Sequence, residues 1–426
     1  MFGQLEKDWG ITMNLLHVAG EAAKKVKEQE EKIQALAAYN QLKVLKAFQE
    51  EGVGETDFYP TTGYGYNDLG RDKLDQIWAR VFGGEEALVR HQIVSGTHAL
   101  ALCLYGVLRP GDELISATGT PYDTLETVIG HKGNVPGSLR EYGIVYKEVP
   151  LSPQGEPDLA AIAATVSNRT KMVFIQRSRG YSWRPALSLE TIGKIVAAVK
   201  GVNPDTVCLV DNCYGEFTAR EEPPAVGADL TAGSLIKNPG GGLAPSGGYI
   251  VGRAELVEMV AARLTAPGIG GEAGATLDTK RLLYQGLFLA PHIVGEALKG
   301  AIFTAQLMED LGYTVSPSAR EERHDLIQAI RFRNKDELLA FCEGIQKAAP
   351  VDSMVKPIPA PMPGYTHQVV MACGTFIQGA SIELSADAPL REPYIAYLQG
   401  GLTASHVRAA ILIALQHLLA AGQLAL

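Results

Sequence analysis

Four short stretches carry side chains that could do chemistry together. In "SLIKNPGGGLAPSGG", residues 234–248, one lysine, Lys237, stands between an apolar run and a loop with five glycines. Asp211 ends the apolar run "TVCLV" within "CLVDNCYGEF", where a carboxylate is costly to bury unless a cation or donor meets it. "SGTHA", residues 95–99, follows "HQIV" and opens a helical stretch. Small residues there leave backbone N–H groups open at a helix N-terminus, an arrangement suited to phosphate. Tyr122 in "TGTPYDTLE" places a ring at a strand exit. Each has a plainer reading as well: a solvated turn lysine, an aspartate bound to nearby amides, an N-cap turn, and a loop tyrosine.

Together the four supply an amine, a buried acid, a phosphate cradle and an aromatic plate. Pyridoxal 5′-phosphate (PLP) needs that set: an amine for its aldehyde, a carboxylate for its ring nitrogen, a stacking ring and a phosphate nest. Asp211 would keep the ring nitrogen protonated. Lys237 would hold the cofactor as an imine, give way to a substrate amine and then act as base and acid. A lysine near its ordinary pKa of ~10.4 is a poor base at neutral pH, so desolvation and cationic neighbours are expected to lower it. Competing motifs fail. "GGGLAPSGG" lacks the G-K-[ST] ending of a P-loop, and its third glycine position is Pro245.

The elements that must position these residues follow from periodicity. Apolar runs such as "EALVRHQIVS", "DELISATG", "KMVFIQ", "TVCLVDN", "DLTAGSLI" and "GGYIVG" alternate with helical ones between about residues 55 and 290. That texture predicts an α/β domain with a mostly parallel sheet covered on both faces. Ligands then bind beyond the carboxyl ends of the strands, where the four stretches fall. Before it, "EAAKKVKEQEEKIQALAAYNQLKVLKAFQEEGV" reads as a helix, either an arm packing on a second subunit or a cover for its own domain. After it comes a long helix ending at Gly312, then a smaller C-terminal α/β domain. The expected division is a helical arm over 1–55, a large cofactor-binding domain over 56–295 and a small domain over 296–426.

With 46% hydrophobic and 20% charged residues the chain has the composition of a globular protein. Its net charge of −9 argues against a nucleic-acid partner. No run approaches a membrane span of roughly 18 apolar residues, and the N-terminus lacks a signal-peptide pattern. The five cysteines are odd in number and show no C-x-x-C spacing. Reduced core thiols, no metal site and a cytoplasmic setting are expected.

The chain resembles the fold-type I PLP-dependent enzymes of Cys/Met metabolism. Within them it is most similar to the bacterial methionine gamma-lyase-like or cystathionine beta-lyase-like "aluminium resistance" proteins. The resemblance covers nearly the whole chain and rests on "TGYGYNDLGRDKLDQIWARVFG", "SGTHALALCLYGVLRPGDEL", "GTPYDTLE", "RSRGYSWRPAL", "VDNCYGEF", "SLIKNPGGGLAPSGGYIVG" and "REPYIAYLQGGLT". It implies an aspartate aminotransferase-like fold, Lys237 as the Schiff-base lysine, Asp211 as the acid at the ring nitrogen and Tyr122 as the stacking ring. Gly96, Thr97 and Ser234 match phosphate ligands, and Tyr64 or Tyr66 lies in the segment that reaches a neighbouring subunit's phosphate. A homodimeric active unit, paired into a tetramer, is implied.

Two departures bear on the substrate. "SLIKN" replaces the S-x-T-K pattern, and "AYLQGG" replaces the R-x-S-x-G segment that carries the carboxylate-binding arginine. Arg391, Arg177 and Arg179 are the candidates for that role. The expected activity is a carbon–sulfur lyase acting on a sulfur-containing amino acid such as cystathionine, cysteine or methionine, through a carbanion at Cα. The alternatives are an aminotransferase, an aldolase-type cleavage, or a PLP-binding stress protein without turnover.

Overall fold

The structure is a computed structural model that describes residues 2–133, 135–362 and 365–425. It divides into two compact units, one of residues 39–290 and one of residues 1–38 with 291–426.

The first unit is built on a seven-stranded sheet. Its strands are β1 (Glu86–Arg90), β2 (Glu113–Ser116), β3 (Val145–Glu148), β4 (Thr170–Gln176), β5 (Val207–Asp211), β6 (Leu230–Ser234) and β7 (Gly248–Gly252), in the order β1-β7-β6-β5-β4-β2-β3. β3, β2, β4, β5 and β6 pair in parallel, while β7 runs antiparallel to both β6 and β1. The sheet is therefore mostly parallel, as the near-continuous apolar runs predict for strands buried on both faces.

One face packs on helices Gly96–Val107 and Ala254–Leu264 through Leu100, Leu104, Val257 and Val260. The other packs on helices Leu159–Thr165 and Leu189–Val202 through Ile162, Ile192, Ile195 and Val199. With both faces covered, polar side chains are left to the strand ends. Ser116, Gln176, Asp211 and Ser234 occupy the last positions of β2, β4, β5 and β6.

The second unit holds an antiparallel sheet of β8 (Thr314–Ser316), β9 (Gln328–Arg331), β10 (Val369–Cys373), β11 (Ser385–Pro389) and β12 (Ile395–Gln399). Helices Lys335–Lys347 and Ala404–Ala420 pack with it through Phe341, Ile345, Ile411 and Leu415. The N-terminal helices Phe2–Trp9 and Met13–Lys25 join that core with Leu5, Leu15, Leu16 and Ala19. The Thr12 N–H donates to Gln416 Oε1 at 2.9 Å. Helices Phe2–Trp9 and Met13–Lys25 thus cover their own chain.

Helix Lys280–Asp310 is longer than the sequence pattern predicts, starting seven residues before Leu287. By length and composition it is apolar enough to cross a membrane, yet 67% of its apolar window is buried within the protein. A core helix has that property, because both sides must face protein. All five cysteines are free thiols, four buried and Cys373 partly so.

Candidate active site

The site forms where β5 and β6 end. Asp211 is buried, and the Cys213 N–H donates to its Oδ1 at 3.1 Å. Burial raises the Asp211 carboxyl above its ordinary value, while the Lys237 charge and donors on Cys213 oppose the rise. Burial also drives the Cys213 thiol well up, so it stays a neutral S–H.

Lys237 lies three residues beyond Ser234, opening a one-turn helix at Asn238–Gly240. Its Nζ sits 4.0 Å from the centre of the Tyr214 ring, an arrangement that favours the ammonium. Tyr214 itself has φ of +71°, a conformation uncommon for a non-glycine residue. The tight turn after β5 imposes it and so brings the ring under the amine. Burial by itself would lower the Lys237 pKa, but Cys213, Tyr214, Asp211 and Tyr122 outweigh it and hold the amine well above the ordinary lysine value. The expectation of a lowered value is thus reversed in this pocket. The groups that act most strongly on the amine are acids.

Tyr122 caps helix Asp123–Ile129, and its N–H donates to Gln176 Oε1 at 3.0 Å. Its hydroxyl lies 2.9 Å from Thr97 Oγ1, which is 3.3 Å from Thr124 Oγ1. Burial and then the Asp211 charge push the phenol upward, so ring and carboxylate share one electrostatic neighbourhood.

Gly96 heads helix Gly96–Val107, with Ser95 as N-cap accepting from the His98 N–H at 3.1 Å. A Cβ on Gly96 would stand 3.1 Å from Cys213 Sγ and 3.5 Å from Ser234 Cβ. A helix N-terminus, the β6 terminus and the Asp211 loop therefore converge, and a side chain on Gly96 would fill the space. These residues fit PLP: a donor-rich cradle at Gly96, Thr97 and Ser234, a buried acid at Asp211, a plate at Tyr122, and an amine at Lys237.

The glycines after Lys237 have a different task. Gly241 has φ of +55°, and a Cβ there would lie 2.4 Å from the Gly286 carbonyl oxygen. They let helix Lys280–Asp310 approach the lysine loop through its own Gly286.

The Arg177 N–H donates to the Asp211 carbonyl at 3.1 Å. Arg177, directly after β4, is 0% exposed. Its Nη1 donates to Asn212 Oδ1 at 2.7 Å and lies 3.6 Å from Glu222 Oε2, and its Nη2 donates to Thr218 Oγ1 at 3.1 Å. Arg179 is buried as well. Arg391 is exposed in the second unit, between β11 and β12.

Tyr64 and Tyr66 are 74% and 51% exposed and stack on each other with centroids 5.5 Å apart. Their loop is held from beneath. Buried Arg71 donates to the Gly65 carbonyl at 2.8 Å and the Gly274 carbonyl at 3.2 Å.

Sequence reasoning missed Gln176, Cys213, Tyr214 and Glu216. Three of these follow Asp211 in "NCYGEF", so their position just beyond an acid-ending strand was the available signal. Gln176 had the same signal at the end of "KMVFIQ".

The chain is 53% identical to the YnbB protein of Bacillus subtilis (strain 168) over 388 residues, which are 91% of this chain and 92% of that one. It is similar to the solved structure of a carbon-sulfur lyase involved in aluminum resistance from Clostridium novyi NT. That match has a TM-score of 0.93 and 51% identity over 97% of this chain and 98% of the other. The fold is shared with cystathionine gamma synthase from Xanthomonas oryzae pv. oryzae, with a TM-score of 0.55 and 18% identity over 83% of this chain and 86% of the other. It is accordingly a fold-type I architecture with a second, smaller antiparallel-sheet domain. The family model described as methionine gamma-lyase matches residues 15–419, and the chain belongs to that family.

Proposed function

We propose that the protein is a PLP-dependent carbon–sulfur lyase acting on a sulfur-containing amino acid. The observation that carries this reading is the convergence of Lys237, Asp211 and Tyr122 beyond the ends of neighbouring strands, beside the space left by Gly96. The cofactor is pyridoxal 5′-phosphate, which when bound supplies an electron-accepting ring that stabilises negative charge at the substrate Cα.

The chain's own residues do the rest. Lys237 would hold the cofactor and afterwards carry the proton at Cα. Asp211 would accept a hydrogen bond from the ring nitrogen and keep it cationic. Tyr122, fixed through Gln176 and Thr97, would cover a ring face. Gly96, Thr97 and Ser234 would bind the phosphate. Arg391, Arg177 and Arg179 are the candidates to take the substrate carboxylate. Water enters overall, and a thiol, ammonia and a 2-oxo acid leave.

The cofactor-binding domain is assigned to residues 56–295, the small domain to 296–426 and the helical arm to 1–55. The working form is a cytoplasmic homodimer, paired into a tetramer, with Tyr64 or Tyr66 completing the partner subunit's phosphate site.

Incubation with cystathionine, cysteine and methionine tests the reaction. Thiol release with pyruvate or 2-oxobutyrate is expected from at least one of them. Amino-group transfer to a 2-oxo acid with no thiol from any would overturn the lyase reading in favour of an aminotransferase.

A further inference from the structure

Beneath Lys237 lies a second acid that the mechanism above does not use. Glu216, in the turn that follows β5, is 0% exposed. Its Oε1 accepts from the Tyr249 hydroxyl at 2.8 Å, and its Oε2 has no hydrogen-bond partner among the described residues.

Glu216 touches both flanks of the lysine loop. A Cβ on Gly233, just before Ser234, would meet its Oε1 at 2.8 Å, and its backbone carbonyl accepts from Asn238 Nδ2 at 3.0 Å. Asn238 follows Lys237 directly. On the far side Tyr249 packs against Trp78 and Phe82, with centroids 4.8 and 5.1 Å away, so that wall is apolar.

The ionisable groups facing Glu216 are few. Tyr249 comes from β7, Lys237 from the loop after β6, Cys213 from its own turn and Glu222 from the segment that follows. Glu222 is the acid with compensation: it accepts from the Phe217 N–H at 2.8 Å and Asn212 Nδ2 at 2.9 Å, and Arg177 lies 3.6 Å away. The Arg177 guanidinium therefore lies on the Glu222 side. A carboxylate at Glu216, with one oxygen unpartnered, is costly to bury even with the Tyr249 donor at the other oxygen.

We propose that Glu216 is a positioning residue that retains a proton in the folded protein and, by releasing it, strengthens the hold on the Lys237 ammonium. The inference rests on reading Lys237 as the reactive amine. Burial pushes the Glu216 carboxyl up to about 8, the nearby Glu222 adds to the rise, and the Lys237 charge opposes it. Linkage makes the last effect reciprocal: the Glu216 anion favours the ammonium. Lys237 therefore becomes harder to deprotonate as pH rises past about 8.

The test uses the full-length chain freed of any bound cofactor with hydroxylamine, so it does not depend on turnover. An infrared pH titration of the wild type should show a protonated buried carboxyl at pH 7 that is lost near pH 8 and is missing in Glu216→Gln. Competitive acetylation with trace acetic anhydride, read on the Lys237 peptide, should give an apparent pKa lower in the variant by at least about half a unit.

An unchanged carboxyl band, or an unchanged Lys237 value, overturns the proposal. Should Glu216→Gln fail to fold, Tyr249→Phe removes the donor that favours the Glu216 anion and should move the infrared midpoint upward. No movement overturns it equally. Failure to bind PLP leaves both readouts intact and counts against the proposed function alone.

Discussion

At the scale of single residues, the Lys237 ammonium faces Asp211 in a pocket whose other neighbours are Cys213, Tyr214 and Tyr122. An amine so held is protonated before the cofactor arrives, and its chemistry depends on what the cofactor does to that charge balance. Lys237→Ala should abolish the visible cofactor band and lower turnover by about 10²–10⁴-fold, the range for loss of a positioned proton carrier. Retained turnover would remove Lys237 from the mechanism.

Asp211→Asn keeps the shape and removes the charge, so we expect activity to fall by about 10²–10³-fold with the protein still folded. Equal activity would exclude Asp211 as the partner of a cationic ring nitrogen.

Glu216 adds a stability effect of definite sign. Its folded value of about 8 stands above the ordinary 4.5, so the folded protein keeps a proton that the unfolded chain has released. This contribution is full below about pH 4.5 and is lost as pH rises through about 8. The melting temperature of Glu216→Gln relative to wild type should therefore climb between about pH 5 and about pH 8.5. A constant difference would contradict the assignment.

At the scale of elements, the site depends on what the backbone leaves open. A Cβ on Gly96 would reach Cys213 Sγ at 3.1 Å, and one on Gly241 would reach a backbone oxygen at 2.4 Å. The first contact can relax and the second cannot. Gly96→Ala should fold normally but weaken PLP binding by about tenfold, read by spectroscopic titration. Gly241→Ala should cost about 1–3 kcal/mol in urea unfolding through overpacking. The reverse pattern would mean that Gly96 serves the fold and Gly241 the cofactor.

The strands were legible in the sequence because burial on both faces writes apolar runs, and the acid, lysine and phosphate turn could be found where those runs stop. Tyr214 and Glu216 were not legible. Their approach to Lys237 depends on the path of the turn after β5, including a positive φ at Tyr214 and the side-chain-free Gly233. Nor was the role of Gly241, which is set by helix Lys280–Asp310, a distant part of the chain. The leading helices likewise show no sign in their own periodicity of which core they join.

At the scale of the whole molecule, Tyr64 and Tyr66 matter most. Two stacked, exposed rings sit on a loop pinned by buried Arg71, and the proposed partner subunit would cover them. Sedimentation should give a dimer or tetramer. Tyr64→Ala with Tyr66→Ala should weaken PLP binding and leave any retained visible band at its wild-type position. A monomer with full cofactor affinity would contradict subunit sharing. Arg391→Ala should raise KM with the cofactor spectrum intact, and an unchanged KM would remove it from substrate binding.

Borohydride reduction of the protein reconstituted with PLP, followed by peptide mass mapping, tests whether Lys237 holds PLP. One phosphopyridoxyl group per chain is expected, on the peptide that carries Lys237. No label, or label on another lysine, would contradict it.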